Sequence, residues 1–384
     1  MQSALKLAEK GISSVEPNPA VGCVIVKAGQ LIGKGYHKRF GGPHAEVNAI
    51  ADCRTLGITP EGGTMYVTLE PCCHEGKTGP CTEAIIDARI ARVVAATIDP
   101  SEHAKGKGLE QLRRAGIAVE AGVCEQDAKR LNAPFFKHVT TGKVWVVLKW
   151  AQSLDGKLAY ADRSAEKRWI TNEVSRSDAH RLRRRVGAIL VGINTILADD
   201  PLLTPRPSKG KKPIRVVLDD SLKVPLGCKL LRTIKTSPVL IYTRKAAVDA
   251  NAQLVGRVQK KGAEVLAYEG PGELPDVRFL LDELSKRGVQ QILVEGGPHV
   301  AASFLREGLV DEMCVYVAPK VLGGGGTASI SEPMAVLAHV VGLHHVQIKA
   351  FGDDVRISGR LENSLTLEKV AESEEPAINR REFT

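Results

Sequence analysis

Two short stretches of this chain hold side chains able to bind a metal and move a proton. One is Pro43-His44-Ala45-Glu46; the other runs from Glu70 to Cys81 and reads Glu-Pro-Cys-Cys-His-Glu-Gly-Lys-Thr-Gly-Pro-Cys. A catalytic zinc ion takes three protein ligands and keeps one position open for water. His44, Cys72 and Cys81 supply a neutral nitrogen and two thiolates, which leaves such a centre formally neutral. Glu46 then has no reason to ligate and is available to carry a proton from water to a leaving amine, the division of labour of a hydrolytic zinc deaminase. A lone His-x-Glu or a lone cysteine pair says little. Here both motifs follow a proline at the expected start of a helix, and jointly they specify the chemistry.

The elements needed to position these residues are legible around them. Gln2 to Lys10 has helical apolar spacing and stops at Gly11. Val21 to Lys27 and Gln30 to Tyr36 bracket Ala28-Gly29 as a hairpin, and Ala45 to Arg54 reads as a helix with His44 and Glu46 at its start. Strand Thr64 to Leu69 delivers Pro71-Cys72, and helix Cys81 to Ala88 begins on the second thiol. Strand Val93 to Ile98, helix Leu109 to Ala115, strand Ile117 to Ala121 and one helix over Glu125 to Val139 complete a three-layer α/β domain, expected over residues 1–143.

The chain has 384 residues, 43% hydrophobic and 25% charged, which fits two globular domains. No apolar run approaches the roughly 18 residues that span a bilayer, so no membrane association and a cytoplasmic location are expected. The formal charge of +9 is spread over both halves without a dense basic or aromatic-interleaved patch. That balance argues against nucleic acid and for a phosphorylated small-molecule substrate; a homo-oligomer is expected. Cysteines 23, 53, 124, 228 and 314 sit among apolar residues and read as buried small hydrophobes, and Cys73 as a bystander to Cys72.

A second domain is expected over 144–365, with a mobile charged tail at 366–384. Strands at Val144 to Trp150, Ala188 to Val191, Arg215 to Leu218, Val239 to Tyr242 and Gln291 to Val294 alternate with helices, the clearest at Glu173 to Arg185 and Asp276 to Lys286. Strands at Glu312 to Ala318, Val346 to Ala350 and Asp354 to Leu361 close it. No Gly-x-Gly-x-x-Gly follows a strand, so the dinucleotide fingerprint is missing. Val294-Glu295-Gly296-Gly297-Pro298 instead ends a strand and opens a helix, a place for phosphate.

Cys72 and Cys81 are separated by eight residues, and this long insertion is specific. Glu-Pro-Cys-x-His-x-Gly-x-Thr-x-Pro-Cys, together with Pro17-Asn18-Pro19-Ala20-Val21-Gly22-Cys23-Val24-Ile25-Val26 and Pro43-His44-Ala45-Glu46-Val47, resembles the deaminases of the riboflavin pathway. Further on, Lys149 to Lys157, Trp169-Ile170-Thr171, Gly192 to Thr204 and Glu295-Gly296-Gly297-Pro298 resemble, in order, the riboflavin-pathway reductases. The whole is similar to the bifunctional deaminase/reductases of riboflavin biosynthesis. The resemblance implies a cytidine-deaminase-like three-layer α/β/α domain followed by a dihydrofolate-reductase-like α/β domain, with Zn²⁺ and NADPH as cofactors. It implies Asn18 at the pyrimidine and His74 and Lys77 at the substrate phosphate. It also implies Lys149, Lys167, Arg183, Leu203, Arg206 and Glu295 facing the second substrate, and Ala151, Trp169, Thr195, Asp199 and Gly297 at NADPH. Arg183 and Arg206 suit phosphate because guanidinium forks match its oxygens.

Three positions depart from the family pattern: Lys167 stands where a Ser is usual, Asn48 where a His often follows, and Gly79 where a Pro precedes Pro80-Cys81. The first leaves open a deaminase with an inactive reductase domain. A nucleoside or nucleic-acid deaminase fused to an unrelated reductase, or a zinc-stabilised binding protein, are the other readings.

Overall fold

In a computed structural model the described residues are 1–162, 169–206, 212–270, 275–329 and 340–361. Lys167 and the tail expected at 366–384 lie outside them. The chain divides into two units, Met1–Lys143 and the residues from Val144 on.

In the first unit the elements are α1 (Gln2–Ala8), β1 (Gly22–Lys27), β2 (Gln30–Tyr36), α2 (Ala45–Thr55), β3 (Thr64–Val67), α3 (Cys81–Asp87), β4 (Arg92–Ala95), α4 (Lys107–Arg114), β5 (Ala118–Ala121), α5 (Glu125–Leu131) and α6 (Ala133–Thr141). One sheet has the order β2-β1-β3-β4-β5, antiparallel around β1 and parallel from β3 to β5. Ala28 and Gly29 both take positive φ, 49° and 76°, the geometry a two-residue hairpin turn demands.

Alternation along β1 explains the layers. A Cβ on Gly22 would meet the α1 backbone at Ala4, 2.0 Å away, whereas neighbouring Cys23 packs with Ala45 and Ala49 of α2. Helices therefore cover both faces. Ile25, Met65, Val67, Ile85, Leu109 and Leu112 are buried in the core cluster beneath α2, α3 and α4; each such side chain contributes about 1.5–3 kcal/mol. The helix expected over 125–139 is two helices. Asn132, with φ −107°, breaks it just before Pro134, and its carboxamide bonds both the N–H and C=O of Ala20 at 2.9 Å.

The second unit contains β6 (Trp145–Ser153), β7 (Lys157–Tyr160), α7 (Glu173–Arg184), β8 (Ala188–Gly192), α8 (Ile193–Asp199), β9 (Ile214–Leu218), α9 (Lys229–Arg232), β10 (Val239–Arg244), α10 (Lys245–Ala250), α11 (Ala252–Lys260) and β11 (Glu264–Tyr268). It continues with α12 (Val277–Lys286), β12 (Gln291–Val294), α13 (Pro298–Arg306), β13 (Glu312–Ala318), β14 (Gly326–Ser329), β15 (His344–Phe351) and β16 (Asp354–Arg360). The large sheet has the order β11-β10-β9-β8-β12-β6-β13-β16-β15. It is parallel from β11 to β13, and its last two strands are antiparallel. Strand β8, residues Val216–Leu218 of β9 and Ile292–Val294 of β12 are apolar without alternation because helices cover both faces of a parallel sheet. Among the described residues no helix is long and apolar enough to cross a membrane.

Candidate active sites

Close packing sets the first site. A Cβ on Gly35 would lie 2.3 Å from the carbonyl of Ala45 and 2.4 Å from the N–H of Ala49, so α2 can approach β2 only over bare backbone. That approach fixes the start of α2, where extended His44 caps the helix and Glu46 occupies its first turn. Cys81 begins α3, and the turn after β3 brings Cys72 alongside. His44 Nδ1 lies 3.4 Å from Cys72 Sγ and 3.3 Å from Cys81 Sγ, and the three potential ligand atoms fall within 4.8 Å of one another.

Glu46 points into this cluster rather than joining it. It is 3% exposed, and one carboxylate oxygen has no hydrogen-bond partner. Burial pushes its pKa up to about 7, with the Cys72 thiolate adding to the rise and His44 opposing it. Of the two thiols Cys72 is the more acidic, held down by the hydrogen bond from Cys81 and then by His44. Three converging soft donors beside a buried, partnerless carboxylate oxygen fit a zinc site with a water position. Cys73 is half-buried and outside the ligand group.

Two residues that the sequence did not single out hold this arrangement. His37, 2% exposed, bonds Asn18 Nδ2 through Nε2 at 3.2 Å and the Pro43 carbonyl through Nδ1 at 3.1 Å. A carbonyl only accepts, so Nδ1 carries the proton and Nε2 accepts from Asn18. The His37 and His44 rings meet edge to face at 5.0 Å, which brings Asn18 to the metal cluster. Asn48, the departure after Glu46, donates to the carbonyls of Tyr36 and Pro43 at 2.9 and 3.0 Å. Glu70 is the second holding residue: its buried carboxylate accepts from the backbone N–H groups of Asp99, Gly106, Gly108 and Leu109 at 2.8–3.4 Å. On the insertion, Lys77 Nζ sits 4.1 Å over the Phe40 ring, and His74 packs against His103.

The second site lies at the carboxyl ends of parallel strands, where open α/β sheets place ligands. Pairing of Val294 with both Leu148 and Leu190 levels the ends of β12, β6 and β8. Glu295 therefore follows β12 beside Lys149 of β6. Its carboxylate takes Arg183 of α7 in a two-pronged pair, Nε at 2.9 Å and Nη2 at 2.6 Å. Burial would raise Glu295, but Arg183 and Lys149 hold it down to about 2. Lys149 is itself lowered, chiefly by burial, with Glu295 opposing. In this structure the fork of Arg183 is thus closed on a carboxylate, while Arg206 is exposed.

Among the remaining residues, Leu203 is 1% exposed with φ 49°, leaving its main chain for any ligand contact; Arg215 ties the preceding carbonyl of Leu202 at 3.2 Å. Thr195 and Asp199 lie on α8, Ala151 on β6, and Gly297 caps α13 with open space around its Cβ position. Trp169 is 53% exposed, with the Arg176 guanidinium 5.2 Å from its ring. A bare helix start at Gly297 is compatible with a dinucleotide phosphate.

Comparison with known proteins decides between the sequence readings. Residues 1–97 match the family described as the cytidine and deoxycytidylate deaminase zinc-binding region, and residues 144–357 the RibD C-terminal domain. The riboflavin biosynthesis protein RibD of Aquifex aeolicus is 44% identical over 344 residues, 88% of this chain and 92% of that protein. The chain belongs to the RibD family. The Escherichia coli RibD is 39% identical over 92% of this chain and 96% of its own length. The solved Acinetobacter baumannii RibD superposes with a TM-score of 0.79 at 36% identity, covering 94% of this chain and 97% of that one. A Thermotoga maritima structure described as a diaminohydroxyphosphoribosylaminopyrimidine deaminase/5-amino-6-(5-phosphoribosylamino)uracil reductase gives 0.77 at 34% identity, with the same coverage. As a RibD, the chain is a bifunctional enzyme of riboflavin biosynthesis, joining a deaminase to a reductase.

Proposed function

We propose that the first unit hydrolytically removes the 2-amino group of 2,5-diamino-6-(5-phosphoribosylamino)pyrimidin-4(3H)-one. The second then reduces the ribosyl group of 5-amino-6-(5-phosphoribosylamino)uracil to ribityl. The observation that carries the first step is the convergence of His44, Cys72 and Cys81 beside the partnerless oxygen of Glu46. His44, Cys72 and Cys81 would hold Zn²⁺, which when bound would lower the pKa of a water at its open position. Glu46, buried beside the three ligands with one carboxylate oxygen unpartnered, is placed to take that proton and return it to the departing amine. Asn18, held by His37, orients the pyrimidine, and His74 and Lys77 bind its phosphate. Glu46→Gln is expected to keep one zinc per chain, slow ammonia release by about 10²–10⁴-fold, and still oxidise NADPH on supplied uracil intermediate. Wild-type ammonia release in that variant would overturn the assignment.

In the second step Ala151, Trp169, Thr195, Asp199 and Gly297 would hold NADPH, which supplies the hydride. Glu295, itself held by Arg183, lies near Lys149 at the strand ends, and burial lowers the pKa of Lys149. Lys149 is thereby the residue suited to give a proton to the opening sugar. Arg206, exposed and not engaged by Glu295, is the remaining guanidinium for phosphate, with the Leu203 main chain beside it. The enzyme works in the cytoplasm, where thiol ligands stay reduced. It works as a homo-oligomer; β15, a sheet edge with exposed Val346 and Ile348, supports this reading, which sedimentation tests.

A further inference from the structure

The loop between β4 and α4 is built as a rigid shelf beside the insertion. Glu70 pins both of its ends, at the N–H groups of Asp99 (3.1 Å) and Gly106 (2.8 Å). Within it, Asp99 Oδ1 accepts from the N–H of Ser101 at 2.8 Å, and the Ser101 carbonyl accepts from Ala104 and Lys105 at 2.9 and 3.0 Å. Ser101 and Ala104 are buried, which anchors the turn from below, while His103 is exposed. Its imidazole meets that of His74 edge to face, with ring centres 4.8 Å apart and planes at 89°. Two imidazoles are thus brought together from separate loops, both tied to the turn that carries Cys72.

We infer that His103 joins His74 and Lys77 in binding the substrate's phosphate, an inference that rests on the phosphate reading of His74 and Lys77 given above. A phosphate offers three strong acceptor oxygens and takes several charge-assisted donors at once. Perpendicular rings aim their N–H groups along different directions, so they can serve different oxygens of one phosphate. Neither ring is buried in a core, so packing does not account for the pairing. The shelf also explains why so many backbone donors converge on Glu70: the carboxylate fixes the position of His103 relative to the Cys72 turn.

The test uses the zinc-loaded full chain and compares ammonia release from the phosphorylated substrate and from its 5′-dephosphorylated counterpart. His103→Ala is expected to lower the ratio of kcat/KM for the two substrates about tenfold, through KM of the phosphorylated one. His103→Gln, which keeps an N–H donor, is expected to recover part of that ratio. Zinc content and melting temperature serve as the controls for folding. If Lys77→Ala lowers the ratio and His103→Ala does not, the inference is overturned while the phosphate reading stands. Equal loss on both substrates in His103→Ala also overturns it. If Lys77→Ala, His74→Ala and His103→Ala all leave the ratio unchanged, the phosphate reading fails and takes the inference with it.

Discussion

His37 grips Asn18 and the Pro43 turn with opposite ring nitrogens, Nε2 accepting at 3.2 Å and Nδ1 donating at 3.1 Å. Burial lowers its pKa, which keeps the ring neutral and so able to accept on one side while donating on the other. The relay sets the carboxamide of Asn18 and the residue that precedes the His44 ligand in a single act. His37→Phe removes both bonds at once. Ammonia release should fall about 10–100-fold in kcat/KM, the size of a lost pair of buried hydrogen bonds, with NADPH oxidation on supplied uracil intermediate unaffected. Parallel ammonia and NADPH assays on one preparation check this; an equal fall in both would mean global damage instead.

The pair of Glu295 with Arg183 makes a pH prediction for the second unit. Glu295 is held down to about 2, well below an unfolded glutamate. Its contribution to stability is therefore fully present above the unfolded value near 4.5 and is lost as pH falls toward 2. Glu295→Gln leaves the half-buried Arg183 without its carboxylate and should cost about 3 kcal/mol at neutral pH. That penalty shrinks toward pH 2. All three tryptophans, Trp145, Trp150 and Trp169, lie in this unit, so their fluorescence in denaturant melts reports it selectively. A variant with the wild type's pH slope would remove the pair from the account.

What could be read in the sequence was local. Ala28-Gly29 between two alternating runs announces its hairpin, and the prolines before His44, Cys72 and Cys81 announce two helix starts. The three metal-site residues follow from those signals. Glu70 and His37 escaped because their partners are distant in the chain: the N–H groups on Glu70 come from 29 to 39 residues away, and Asn18 lies 19 residues from His37. Backbone donors carry no residue signature, so no motif could have shown the clamp. The break at Asn132 was visible in Pro134, yet the apolar spacing of Phe135 and Phe136 masked it. Arg183 was legible as a cation, but only the levelling of β12 and β6 shows that its fork is closed on Glu295.

Gly35 carries a steric prediction. An alanine there would place its Cβ 2.3 Å from the Ala45 carbonyl, and backbone cannot swing aside as a side chain can. Gly35→Ala should therefore push α2 off β2 at a cost of about 1–3 kcal/mol, and move His44 and Glu46 with it. Zinc retention during a chelator challenge should drop along with the melting temperature of the first unit. Gly29→Ala, where a Cβ would meet open space, is the comparison: it strains a positive φ of 76° but leaves the metal site in place. Equal zinc loss in the two variants would separate metal retention from the seating of α2.

Glu70 gives the last prediction, because its carboxylate joins the Cys72 turn to α4 through main-chain donors alone. Glu70→Ala strands four N–H groups, those of Gly108 and Leu109 buried and those of Asp99 and Gly106 part-buried, with Gly106 and Gly108 bonded at 2.8 Å. Each unsatisfied donor costs about 1–3 kcal/mol, so the first unit should be severely destabilised. Glu70→Gln is the sharper probe. It keeps the shape but sets an NH₂ against two of those donors, which should loosen the turn without unfolding the unit. Outer partners of metal ligands are worth about 10–100-fold in metal affinity, and a loss of that size is expected for zinc in Glu70→Gln, measured by chelator competition. A Co²⁺-loaded sample should show an altered visible absorption band as the Cys72 thiolate shifts. Wild-type affinity with an unchanged band would show that the turn holds its thiol without help from α4.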